Sequence, residues 1–119
     1  MQIVRAMPVR PPRPSRRPTH FVFEVVVVRE AFNPGPVLDV WDRTVAAARH
    51  WADVVLAEGV FDPEPKVPLV RLRARVSVPN AGFGQSMFQY DEDQERREAR
   101  EVAKAAFWGL GREGLWTEI

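Results

Sequence analysis

Residues 20–29 read HFVFEVVVVR, and this run decides the fold. Valine and phenylalanine lose rotamer freedom in a helix and pack well on a pleated surface, so the run is a strand. It is apolar almost throughout, which leaves little polar character for either face. Downstream, Asn33-Pro34-Gly35-Pro36 breaks it. Gly35 turns the chain, and Pro36 suits a first helical position, where a missing N–H is harmless. Upstream, Pro8, Pro11, Pro12, Pro14 and Pro18 remove donors and fix φ, which predicts an extended or disordered arm over residues 1–18 and a folded domain over 19–119.

From Val37 to about Ala57, Trp41, Val45, Ala48, Ala52 and Val55 recur at spacings of four and three, which predicts a helix. Gly59 and Pro63 are placed to end it. Leu69 to Val78 alternates, with Val70, Leu72, Ala74, Val76 and Val78 on one face and Arg71, Arg73, Arg75 and Ser77 on the other. After the turn residues Pro79-Asn80-Ala81-Gly82, the mix of aromatic and polar residues from Phe83 to Tyr90 predicts the second arm of a hairpin. Asp91-Glu92-Asp93-Gln94 has the spacing of a capping box, and Ala99, Val102, Ala103, Ala106 and Leu110 line one face of the helix behind it. Leu115 to Ile119 completes the order as a short strand.

The order strand, helix, strand, strand, helix, strand is the split βαβ, or ferredoxin-like, α+β arrangement, with an antiparallel four-stranded sheet and both helices on one face. The other face then carries alternate residues of an apolar first strand beside Arg71, Arg73 and Arg75. A bare apolar layer of that size calls for cover, and a second copy, giving a homodimer through the sheet face, is the simplest.

These features resemble the dimeric α+β barrel superfamily, in which two ferredoxin-like protomers pack sheet to sheet. The resemblance covers about residues 20–110 and rests on the Val-rich first strand leading to Asn33-Pro34-Gly35, the Arg-rich second strand closed by the turn from Pro79 to Gly84, and Met87-Phe88-Gln89-Tyr90-Asp91 before an Arg/Glu/Ala helix. It implies a small-molecule-binding barrel, acting without a cofactor as a cyclase, isomerase or monooxygenase of secondary metabolism on an aromatic or polyketide-like substrate.

Composition sets limits on function. The chain has 119 residues, 45% hydrophobic and 28% charged, enough for one core. Without cysteine it has no disulfide, thiolate nucleophile or thiolate zinc site, and two histidines make a His-rich metal site poor. No apolar run approaches the roughly 20 residues that span a bilayer, so the expectation is a soluble, cytoplasmic protein with no membrane partner. The net charge of +1 hides an asymmetry, because Arg5, Arg10, Arg13, Arg16 and Arg17 precede the first acid. Without them twelve basic residues face sixteen acidic ones. Only the arm has the electrostatic footprint that phosphate binding requires, so the alternative to an enzyme is a non-catalytic nucleic-acid or protein-binding module that uses it.

Candidate site residues follow from the barrel reading. His20 or Tyr90 moves a proton beside a substrate carbonyl and Arg73 stabilises the enolate charge. Trp41, Trp51 and Phe88 wall a flat pocket, with Glu24 sharing the face of His20; core packing is the ordinary use of such aromatics, and pairing with Arg71 or Arg73 the ordinary use of Glu24. No metal is expected. Gly82-Phe83-Gly84 with Phe88 also resembles the third-strand motif of RNA-recognition domains, although Gln85 and Ser86 stand where aromatic and aliphatic residues belong. The tract Lys104-Ala105-Ala106-Phe107 to Gly114-Leu115-Trp116 is similar to the tail of RusA-type junction resolvases, but Asp91 and Asp93 lie some two turns too far away, which leaves helix capping as their use. Gly109 to Gly114 spells GxGxxG after a helix rather than before one, which makes it a helix-ending turn.

Overall fold

β1 (His20–Glu30) lies inside the sheet and sets its two faces: Phe21, Phe23, Val25 and Val27 are buried under the helices, while Val22, Glu24 and Val26 face the other way. The computed structural model describes residues 16–110 and 114–119. After β1 come α1 (Pro34–Ala48), β2 (Asp53–Asp62), β3 (Leu69–Pro79), α2 (Glu92–Ala106) and β4 (Leu115–Glu118). The strands form one sheet in the order β2-β3-β1-β4, every neighbouring pair antiparallel. This is the ferredoxin-like βαββαβ topology, with α1 and α2 on one face.

Local chemistry explains the elements. Asn33 caps α1 by accepting from Gly35 N–H at 3.3 Å, and Pro34 stands where no helical donor is needed. Asp91 caps α2, its carboxylate accepting from Gln94 N–H at 3.2 Å as the capping-box spacing predicts. Gly109, at φ 90°, turns the chain out of α2, which fits the expected helix-ending turn; the rest of that motif, residues 111–113, lies outside the described residues. The predicted arm also lies mostly outside them, and at its end Arg17 and Pro18 bond to the segment after β3.

Two strands differ from the sequence reading. Helix α1 stops at Ala48, and the segment predicted to continue it to Ala57 is instead the start of β2. Phe83 to Tyr90 is a loop of turns, so the hairpin is β2–β3, joined by residues 63–68. The cause is a bulge at Val55: Val54 pairs with Val76 and Leu56 with Arg75, so one residue is skipped and the alternation that marks a strand is lost.

The barrel expectation is corrected by the sheet itself. Among the described residues it is open, with β2 and β4 at its edges and one face turned away from the helices. That face is not the greasy layer the β1 sequence suggests. Glu24 Oε2 accepts from Arg75 Nε at 2.9 Å and lies 3.7 Å from Arg73 Nε, which is 3.3 Å from Glu58 Oε1. An ionic lattice therefore crosses β1, β3 and β2 within this layer, among the side chains of Val22, Val26 and Val28.

The core lies between sheet and helices. Phe107, fully buried at the end of α2, stacks on Trp41 of α1 at 5.9 Å between ring centroids and meets the edge of Trp116 of β4 at 5.8 Å. α2 otherwise buries small residues, Ala99, Ala103 and Ala106, and lays Arg96 and Arg100 over the rings of Phe21 and Phe23. Arg96 Nε pairs with Glu118 at 2.7 Å, tying α2 to β4; this hydrogen bond, more than the one to Glu92, raises the guanidinium pKa. A raised pKa on a cation adds stability at every pH below its unfolded value, so this tie persists throughout the neutral range.

Candidate functional site

The expected pocket residues do not converge. Trp41 is core, whereas Trp51 and Phe88 are 78% and 94% exposed on separate segments. His20 opens β1, exposed, with Nδ1 3.1 Å from the Thr19 hydroxyl. Arg73 and Glu24 belong to the ionic lattice on the bare face. His20 pairs with Pro79 and Arg73 sits six residues back along β3, about 20 Å away at 3.3 Å per residue. Tyr90 lies at the His20 end of the sheet. The closed pocket expected between sheet and helices is also corrected, because Phe107, Trp41 and Trp116 fill that space. An open groove of about 360 Å³ lies between α1 and the sheet, lined by Arg29, Val37, Val40, Trp41, Leu72 and Leu110.

The distinctive construction is the loop from Asn80 to Tyr90. Asn80 is the only buried polar residue among those described, and every part of its amide is used. Nδ2 donates to Pro18 O and to Tyr90 Oη, both at 2.8 Å, and Oδ1 accepts from Gly82 N–H at 3.0 Å. Its backbone N–H donates to Thr19 O at 2.9 Å. Tyr90 Oη in turn donates to Glu92 at 3.3 Å. Above this node sits Arg17, whose guanidinium carbon lies 4.1 Å from the Tyr90 ring centroid. Its Nη1 donates to the carbonyls of Phe83 at 3.0 Å, of Gly82 at 3.4 Å, and of Gln85.

A loop bound this tightly holds three large apolar side chains in water: Phe83 is 50%, Met87 78% and Phe88 94% exposed. Leaving such a group exposed forgoes about 1.5–3 kcal/mol of burial. Arg16, next to Arg17, is exposed, and the acidic first turn of α2, with Glu92, Asp93 and Glu95, follows the loop directly and lays Glu95 against Gly82.

Sequence reasoning pairs Phe83 with Phe88 and singles out Tyr90, but does not join them to Arg17, Asn80 and Met87. The available signal was Asn-x-Gly at 80–82, where an Asn side chain bonds the backbone two residues on. The adjacent Gln85 and Ser86, which interrupt the aromatic pattern, pointed the same way.

Among the described residues no group of three or more His, Asp or Glu side chains is placed to hold a metal ion, and no helix is long and apolar enough to cross a membrane. Compared with known proteins, the chain matches no family model, no curated protein and no solved structure. The resemblance to the dimeric α+β barrel superfamily is therefore corrected to topology alone. The secondary-metabolism activities it implied lose their basis with it.

Proposed function

We propose that the protein is a non-catalytic nucleic-acid-binding module that takes single-stranded segments on the Asn80–Tyr90 loop and the basic N-terminal arm. One observation carries this reading: Arg17 ties the root of the arm to the loop that exposes Phe83 and Phe88. Cations that follow the phosphates, beside aromatic faces on which bases stack, are the recurrent chemistry of single-strand binding. In the sequence Arg5, Arg10, Arg13 and Arg16 precede Arg17 with no acid among them, and Arg17 meets the loop at one end of the sheet. Catalysis is not part of the proposal, because Arg73 stands far from His20 and Tyr90.

Fluorescence anisotropy with a labelled, mixed-sequence single-stranded oligonucleotide tests it. Four arginines on phosphates give a slope of about −2.8 in log K against log salt, or a loss of roughly 50-fold from 50 to 200 mM. Deleting residues 1–15 removes most of that slope. Phe88→Ala weakens binding roughly 5- to 150-fold with the slope retained. Absence of binding at 50 mM salt overturns the reading, as does binding indifferent to both changes.

A further inference from the structure

We infer that Arg17, the last arginine of the basic run, is a positioning residue of this interface and not a phosphate ligand; the inference rests on the nucleic-acid reading above. Composition groups it with Arg5, Arg10, Arg13 and Arg16, but its own bonds set it apart from its neighbour Arg16. An arginine grips phosphate through its planar fork of N–H donors. In Arg17, Nη1 already serves the carbonyls of Gly82, Phe83 and Gln85, and one face of the guanidinium lies on Tyr90. Arg16, next to it, is exposed.

The loop needs such a clamp. Gly82, Gly84 and Ser86 leave its backbone free, and fixing each residue costs about 1–2 kcal/mol. An unclamped loop carrying Phe83, Met87 and Phe88 folds them against the domain or spreads over many conformers, and a base then meets no fixed ring. Three carbonyls converging on one cation, with the Asn80–Tyr90 bond beneath, hold the loop in shape before any ligand arrives. That lowers the ordering cost of binding. Arg17 thus links the two halves of the site, the electrostatic arm and the stacking loop, without touching the ligand.

The test compares full-length wild type with Arg16→Ala, Arg17→Ala and Phe88→Ala, using the same oligonucleotide over a range of salt. Arg16→Ala should flatten the log–log slope by about 0.7, the share of one cation on a single strand. Arg17→Ala should leave the slope unchanged and weaken binding by roughly 10-fold at every salt. The double variant Arg17→Ala/Phe88→Ala should bind about as weakly as Phe88→Ala alone, because both changes remove the same stacking. A slope loss in Arg17→Ala equal to that in Arg16→Ala overturns the inference, and so does unchanged affinity. Amide hydrogen exchange separates this claim from the function itself. Phe83 and Gln85 N–H groups, which donate to Asn80 O and Gly82 O, should exchange at least about 10-fold faster in Arg17→Ala while β1 and β3 amides keep their protection. Failure of wild type to bind any oligonucleotide overturns the nucleic-acid reading. Unchanged exchange in the loop overturns the positioning role whatever the ligand.

Discussion

Replacing Phe107 with alanine is the sharpest test of how the helices are held. The side chain is fully buried, stacked on Trp41 and edge-on to Trp116, while α2 otherwise presents only alanines to the core. Phe→Ala in a core costs about 3–5 kcal/mol, and loss of two aromatic contacts places this site in the upper half of that range. The whole domain, at roughly 0.05–0.15 kcal/mol per residue, has only about 5–15 kcal/mol to lose. A loss of about 4 kcal/mol lowers Tm by roughly 16–30 °C. Phe107→Leu keeps most of the volume and should cost only about 1–2 kcal/mol. Urea unfolding followed by far-UV circular dichroism and by fluorescence of the buried Trp41 and Trp116 gives both values. A cost below about 1 kcal/mol for Phe107→Ala refutes the view that this ring joins α1, α2 and β4.

Glu24→Gln leaves Arg73 and Arg75 adjacent with Glu58 as their remaining anion; both arginines are more than a third exposed, so solvent limits the loss to about 1 kcal/mol, smaller in high salt. A urea midpoint unmoved at low salt counts against the lattice. Asn80→Ala orphans Pro18 O and Gly82 N–H and takes away the donor to the Tyr90 hydroxyl, which should destabilise by about 2–3 kcal/mol, read from the same melts, with values under about 0.5 inconsistent with a buried node. Gly59→Ala places a methyl 2.8 Å from Leu38 Cδ2 and 3.2 Å from Leu72 Cδ2, an overpacking expected to cost about 1–3 kcal/mol; a neutral result means that α1 moves away freely.

Where patterns were uninterrupted, the chain was readable. β1 and β3 were legible because one is densely β-branched and the other alternates Val and Leu with Arg over its whole length. α2 was legible from its Asp91 cap and alanine stripe. β2 was not, for two reasons acting together. Val45, Ala48, Ala52 and Val55 continue at helical spacing past the true end of α1, and the bulge hides the two-residue period that competes with it. The loop at 83–90 carries an accidental alternation of aromatic and polar residues and took the place of the missing strand. The element order was therefore right while one strand of the hairpin was misplaced. β1 and the arginines of β3 give only part of the bare face, whereas Glu58, from the misread segment, completes the charge lattice. The loop node escaped notice because its members, Arg17, Asn80 and Tyr90, are brought together only by the tertiary fold.

The skipped residue in β2 also bears on how this gene tolerates loss of a codon. With Val55 present, an unbulged strand that kept Val54 inward would drive Leu56, Glu58, Val60 and Asp62 toward the helices and turn Ala57 and Phe61 outward. With Val55 deleted, the existing partners Val54–Val76, Leu56–Arg75 and Ala57–Ala74 follow one another without interruption, and no side chain changes sides. A single-residue deletion in mid-strand normally scrambles a sheet. In this strand it would shed a spare.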